Sequence, residues 1–412
     1  MHRTIAALHD WRVAILLGVA TIGAYGTASY AIGVLIAPIA LDTGWTTASL
    51  SAAFSIGILG SGVVAIGVGR ALDRVGSRLP GLVTLVAGAA LLFLATGLTE
   101  PVPFALAWGG GSAIIGGGWF YQATMPATAR SYPVRRAEAF QVLTLLGALA
   151  SPIFYPLGGV LIETLGWRAA AQVLVALMVA LMLPAALLVD APPAPTDATG
   201  ARPRPDLRAA LRRPAVWRAM LTIALLIGAS NAIVLHQVPA LQAAGLTLAA
   251  ASGYGGARGL MQAPARLALT PLTRRLGVPG SLYVSYGMGA LGLAALLTAV
   301  VAGGTAVLAV VFALACGVSI GLHSPLHGLW VIEVYGEDQL GTLSGVQQAV
   351  VSVCGAAAPL AAGWLVDASG GYAVPLASML ALQGLAIASL TWQRRATRAP
   401  AAPAAPEPAP GR

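Results

Sequence analysis

Twelve apolar runs dominate this chain, at residues 13–40, 50–68, 79–98, 102–123, 140–162, 169–189, 216–241, 249–272, 282–301, 304–327, 343–366 and 372–392. Each is long enough to cross about 30 Å of hydrocarbon as a helix. In lipid a helix also satisfies its own backbone without needing a partner strand. The expectation is an all-α membrane protein with twelve transmembrane helices. Charged residues make up 9% of the 412 and hydrophobic ones 58%, whereas soluble domains carry about 25% charged residues. Water is therefore excluded as the main solvent.

Every basic side chain of the lysine/arginine kind is Arg, and the positions of the arginines set an orientation. With the N-terminus taken as cytoplasmic, Arg3, Arg12, Arg70, Arg74, Arg78, Arg130, Arg135, Arg136, the six between 202 and 218, Arg274, Arg275 and the four after 393 fall on that side, and among the loops only Arg168 falls outside. That asymmetry follows the positive-inside rule for a chain with both termini cytoplasmic. The net charge of +9 is thus a product of topology, and no nucleic-acid partner is read from it. Length and the spans behind it make the first run an uncleaved helix rather than a secretory signal. Cys316 and Cys354 fall inside predicted helices, where they read as small packing residues and not as a disulfide or a metal site.

Between the sixth and seventh runs lies a Pro- and Arg-rich stretch from Asp190 that can neither build a core nor enter lipid. It divides the chain into an N-terminal six-helix half at 1–190, a cytoplasmic linker at 191–214, a C-terminal six-helix half at 215–393 and a disordered tail at 394–412. The halves resemble each other: Gly159, Glu163 and Gly166 line up with Gly363, Asp367 and Gly370, and the loop at Asp73 to Gly76 lines up with Arg274 to Gly277. Both matches keep the sense of the chain across the membrane, so the repeats are parallel and their natural cavity lies where the halves meet.

The loop after the second run reads Gly69-Arg-Ala-Leu-Asp73-Arg74-Val-Gly76-Ser-Arg78. It resembles the GxxxDRxGR signature of the major facilitator superfamily. The resemblance implies that fold, and it implies a latch between the halves on the cytoplasmic side formed by Asp73, with Arg74 and Arg78 as supports and Gly69 and Gly76 shaping the turn. The second copy has Thr270 and Arg274 where the first glycine and the acid belong, so the latch is asymmetric. Across nearly the whole chain, Gly44-Trp45, Gly166-Trp167-Arg168 and Arg266 eleven residues before Gly277 also resemble the monocarboxylate transporter and oxalate–formate antiporter branch. In that branch the eighth-span arginine binds the substrate carboxylate, which implies this role for Arg266. Monocarboxylate carriers often place an acid four residues earlier, where this chain has Gln262. Oxalate–formate antiporters use a lysine on the eleventh span, and this chain has none.

Arg258 and Arg266 lie inside one apolar run, where a guanidinium costs roughly 2.5–3.5 kcal/mol even on the mildest insertion scale. Eight residues apart, they sit about 80° apart around the helix and roughly 12 Å along it, so they can line one cavity at two depths. An arginine fork donates two parallel hydrogen bonds to a carboxylate and keeps its charge; the alternative is that one of them snorkels or caps a buried carbonyl. Tyr121 is a candidate second donor or an interhelical hydrogen bond. Asn231 and Gln262 are further candidates, and glutamines in lipid more often join helices. His236, His323 and His327 are candidates for proton coupling because imidazole titrates near neutrality, with His236 the better placed. No acid sits centrally in any span. Glu138, Glu333, Glu337 and Asp338 lie near inner ends, and Asp42, Glu100, Glu163 and Asp367 near outer ones.

No nucleophile–base pair, phosphate loop, metal cluster or cofactor motif is present in the sequence, so no enzyme activity is expected. The expected function is secondary transport of a small anionic solute, a monocarboxylate, with protons as a candidate partner, by a monomer in a bacterial-type cytoplasmic membrane. The alternatives are an exporter of hydrophobic or drug-like compounds and a non-transporting membrane receptor.

Overall fold

The structure, a computed structural model, describes residues 11–191, 211–303, 306–335 and 340–398. Most of the 191–214 linker, the tail after 398, Arg3, Glu337 and Asp338 lie outside the described residues. Helices account for nearly everything described: Arg12–Thr43, Thr47–Val75, Arg78–Ala95, Pro101–Trp119, Tyr121–Ser131, Arg136–Gly147, Ala150–Leu188, Pro214–Ala243, Leu248–Leu260, Gln262–Leu267, Leu269–Ala302, Ala306–Tyr335, Leu340–Ser369 and Ala373–Arg398.

These helices make twelve passes, yet only nine among the described residues are long and apolar enough to cross a membrane as unbroken helices. Physical causes account for the difference. Passes five and six run together through Gly166, whose φ of 76° bends the chain. The six glycines at 109–111 and 116–118 dilute the apolar character of pass four. Pass eight is broken at Met261 and again at Ala268. Pro264 and Pro271 lack the N–H groups that would bond back to residues 260 and 267, which interrupts the ladder at those two places.

The packing is twofold in pattern. In the N-terminal half, pass one lies on passes five and six, two on four, and three on four and six. In the C-terminal half, seven lies on eleven and twelve, eight on ten, and nine on ten and twelve. The halves meet through pass two on eleven, five on eight, and one on seven. Adding six to each number maps this set onto itself, so the repeats are parallel and enclose a space between the halves. Backbone shape repeats as well. Positive φ occurs at Gly44 and Gly245, at Gly76 and Gly277, and at Gly166 and Gly370, three pairs that open or close equivalent passes.

At the end away from the arginine-rich loops, the halves are sealed by another repeated device. Thr46 caps pass two and Thr247 caps pass eight with the same side-chain hydrogen bond to the amide three residues on. The Asp367 carboxylate, at the end of pass eleven, accepts from the N–H groups of Thr47 and Ala48 at 2.9 and 2.8 Å. Glu163, at the end of pass five, accepts from the N–H of Ala249 at 3.1 Å. Both use the partial positive charge of a helix N-terminus. Four residues before each acid, Gly363 and Gly159 let Ser51 and Ser252 come within a distance that a Cβ would occupy. The pairing of Glu163 with Asp367 in the sequence repeat is thus also a pairing in space. Asp42 braces the same end by accepting from Trp167 Nε1 at 2.8 Å and from Arg168 at 3.0 Å.

Candidate functional site

Below that seal a cavity of about 480 Å³ opens between the halves. It runs toward the arginine-rich end along Ile58, Ser61, Gly62 and Ala65 of pass two and Ser352, Val351 and Gln348 of pass eleven. Its N-terminal wall is aromatic. Pass one widens into a π-helix at Gly26–Ala31, the kind of local irregularity that often marks a functional position, and from it Ser29 and Tyr30 join Tyr25 at the cavity. Gly26 is required there, since a Cβ would lie 2.3 Å from the Phe154 ring. Tyr25 stacks on Phe120 at 4.0 Å with planes 6° apart. Tyr30 lies 5.3 Å from Tyr155, whose hydroxyl crosses to the other half and donates to the Val234 carbonyl at 2.7 Å.

The C-terminal wall carries polar groups. Asn231 lines the cavity and donates to the Gly355 carbonyl at 3.2 Å. His323 also lines it. The His323 ring stacks on His327 at 5.5 Å, and His327 Nε2 pairs with the Tyr286 hydroxyl at 2.8 Å. Among the described lining residues there is no carboxylate.

The two arginines lie outside that lining and differ in their surroundings. Arg258 is 1% exposed. Its Nε donates to Gln237 Oε1 at 2.6 Å, and one terminal nitrogen is buried with no partner. Arg266 is half-buried, on the short Gln262–Leu267 helix between the two breaks. It has no hydrogen bond or ion pair among the described residues. Neither Arg258 nor Arg266 is among the described residues that line the cavity, although both lie on the pass packed against the one that carries His323.

Other residues fall elsewhere. Gln262 is buried and packs its backbone against Gly321 rather than lining the cavity. Tyr121 is a neighbour of the wall, its ring 5.3 Å from Tyr25 and its hydroxyl against Gly147. His236 is part of the seal: its Nε2 lies 3.1 Å from the Pro359 carbonyl and 3.4 Å from the Ser51 hydroxyl. Of the three histidines, His323 rather than His236 therefore meets the cavity, because His236 lies seven residues from the outer end of its pass and His323 seventeen from the outer end of its own. At the arginine-rich end Asp73 pairs with Arg130, which also donates to the Leu72 carbonyl at 3.0 Å. That pair lies within the N-terminal half, while Arg74 and Arg78 are exposed. Gly76, with φ of 77°, turns the chain, and a Cβ there would meet the Ala191 carbonyl at 2.8 Å. Gly69 has open space around it. The sequence reading did not single out Tyr25, Tyr30, Tyr155 or Gln237. The available signal was a set of hydroxyl-bearing aromatics in passes one, four and five of an otherwise apolar half.

Two six-helix halves around a mid-depth cavity define a membrane transporter. The chain matches the Major Facilitator Superfamily over residues 17–359, and it belongs to that family. Solved structures share the fold at low identity. A nucleoside transporter, NupG, is 14% identical with a TM-score of 0.74, covering 94% of this chain and 99% of its own. A bacterial homologue of the human lysosomal transporter Spinster, inward-facing and unoccupied, is 15% identical with a TM-score of 0.70, covering 94% and 97%. A structure from work on proton-dependent oligopeptide transporters is 13% identical with a TM-score of 0.66, covering 94% and 99%. No curated protein matches the chain.

Proposed function

We propose that this transporter carries a small organic anion, a monocarboxylate, by rocking its halves about the cavity. The arginine-rich end is then cytoplasmic in a bacterial-type membrane, and the protein works as a monomer. The observation that carries the reading is that two guanidiniums lie within pass eight, packed against the pass that brings His323 to a cavity with no acid among its described lining residues, one with a buried unpartnered nitrogen and the other without a partner among the described residues. Desolvated cations without counter-charges are costly, and a carboxylate would supply the missing charge and the acceptors for a bidentate fork. The cytoplasmic placement follows from the bias of the arginines.

The test is calorimetry of purified protein with acetate, lactate and benzoate. Arg266→Gln is expected to lose about 3–5 kcal/mol of carboxylate binding, by analogy with a broken buried pair, and Arg266→Lys to lose part of it because the charge remains without the fork. The aromatic wall of Tyr25, Tyr30, Phe54 and Phe120 favours a second reading, export of hydrophobic compounds. Binding of neutral benzamide equal to that of benzoate, with both Arg266 variants behaving like the parent, would replace the first reading with the second.

A further inference from the structure

We propose that the corner between passes nine and twelve at the arginine-rich end binds the phosphate of an anionic membrane phospholipid through Arg394 and Arg395. The site faces lipid and shares no residue with the lining of the cavity between the halves.

The two halves treat this corner differently, and the difference is a reversal of charge. In the N-terminal half the equivalent corner, between passes three and six, is closed by the chain itself. Beyond pass six, the Ala191 carbonyl accepts from the Ser77 N–H at 3.1 Å, and the Ala191 N–H donates to the Ser77 hydroxyl at 2.8 Å. That strap sets the Asp190 carboxylate 3.4 Å from where a Cβ of Gly76 would stand. In the C-terminal half Arg394 lies as far beyond Gly370 as Asp190 lies beyond Gly166. The repeat thus puts a cation where the first copy has an acid. Pass twelve runs on as a helix to Arg398, and a Cβ on Gly277 would meet only Pro279, at 3.9 Å. From Arg212 on, eight described arginines stand at this end against one described acid, Glu333, so the membrane is left to supply the anion.

The corner also presents its groups in the order of depth that a phospholipid needs. Arg394 lies over the Tyr283 ring at 5.4 Å, and a guanidinium stacked on a ring keeps the planar fork that matches phosphate oxygens. The Tyr283 hydroxyl donates to Thr391 at 2.9 Å, which ties pass nine to pass twelve at the headgroup level that tyrosine favours. One turn beyond Thr391 on the same face, Arg395 is exposed. Toward the hydrocarbon the side chains shrink. Gly287, one turn deeper than Tyr283, and Gly384, two turns deeper than Thr391, are exposed with open space where a Cβ would stand. Ala388, between Gly384 and Thr391, is exposed as well. These positions leave a shallow trough that leads an acyl chain away from the arginines. Basic clefts between membrane helices recognise anionic headgroups in this way, whereas a free phosphate would have no use for the trough.

The test is native mass spectrometry of the full chain titrated with phosphatidylglycerol and, separately, with phosphatidylcholine of the same acyl chains. The parent is expected to hold phosphatidylglycerol the more tightly. Arg394→Gln with Arg395→Gln should weaken that binding roughly 30-fold, each arginine contributing about fivefold near an anionic surface. Arg12→Gln with Arg136→Gln, an equal loss of exposed charge in the N-terminal half, should leave it unchanged, and Gly287→Leu with Gly384→Leu, which fills the trough, should weaken it. Equal affinities for the two lipids, or equal losses in the two arginine pairs, would overturn the site in favour of a diffuse positive field. Glycerol phosphate, the same anion without chains, is expected to leave the Tm where it is. A rise in Tm matching that from phosphatidylglycerol would overturn the lipid in favour of a free phosphate. If the Arg394 and Arg395 pair fails to fold, Arg395→Gln alone decides by the same comparison, with an expected loss of about fivefold.

Discussion

Asp367→Ala combined with Glu163→Ala is expected to loosen the seal and make the cavity reachable from the arginine-poor end. Asp367 accepts two backbone N–H groups and Glu163 one. Both carboxylates are exposed, so each contributes about 0.3–1 kcal/mol, the value for an anion at a solvent-facing helix N-terminus, rather than the larger figure for a buried charged hydrogen bond. Removing both costs the sealed form about 0.6–2 kcal/mol, or roughly 3- to 30-fold in its equilibrium with the opened form. Asp367→Ala alone should account for more than half, because it removes two bonds rather than one. A cysteine at Ser230, which lines the cavity, reports the shift when Cys354 is replaced by Ser. Its reaction with a membrane-impermeant maleimide should rise from the arginine-poor side and fall from the other. Unchanged labelling from both sides in a folded double variant would refute the idea that the acids hold the seal.

Two further tests concern the loop at Asp73. Gly76→Ala is expected to lower the Tm through roughly 1–3 kcal/mol of backbone strain and its contact with the Ala191 carbonyl, while Gly69→Ala, with open space around it, should leave the Tm alone; the reverse order would contradict the account of the turn. Asp73→Asn should weaken the pairing with Arg130 and change the transport rate and the accessibility of the arginine-rich end, with carboxylate affinity nearly unchanged. A collapse of affinity without a change in accessibility would place Asp73 in the binding site instead.

The fold was legible because lipid imposes one rule on every pass, and the repeat was legible because glycine and acid recur at fixed offsets. Glu163 and Asp367 could be aligned from sequence, yet their partners are backbone N–H groups, which no side-chain pattern announces. The breaks in pass eight were readable in principle from Pro264 and Pro271. The wall of Tyr25, Tyr30 and Tyr155 was not, since a tyrosine in a span reads equally well as packing, and the π-helix that turns Tyr30 inward leaves no compositional trace. His236 lies seven residues from the outer end of its pass and His323 seventeen from the outer end of its own, so the depth at which each helix delivers its imidazole separates a seal residue from a cavity residue.

The three pairs of left-handed glycines also carry a consequence for heredity. At such a position any other residue pays a conformational penalty whatever its neighbours, so a duplicated gene is free to diverge in chemistry long before it can diverge in the shape of its hinges. The second copy of the Asp73 loop has Arg274 in place of the acid, yet Gly277 still turns the chain as Gly76 does. An ancestral half of this protein would be recognised by its bends sooner than by its charges.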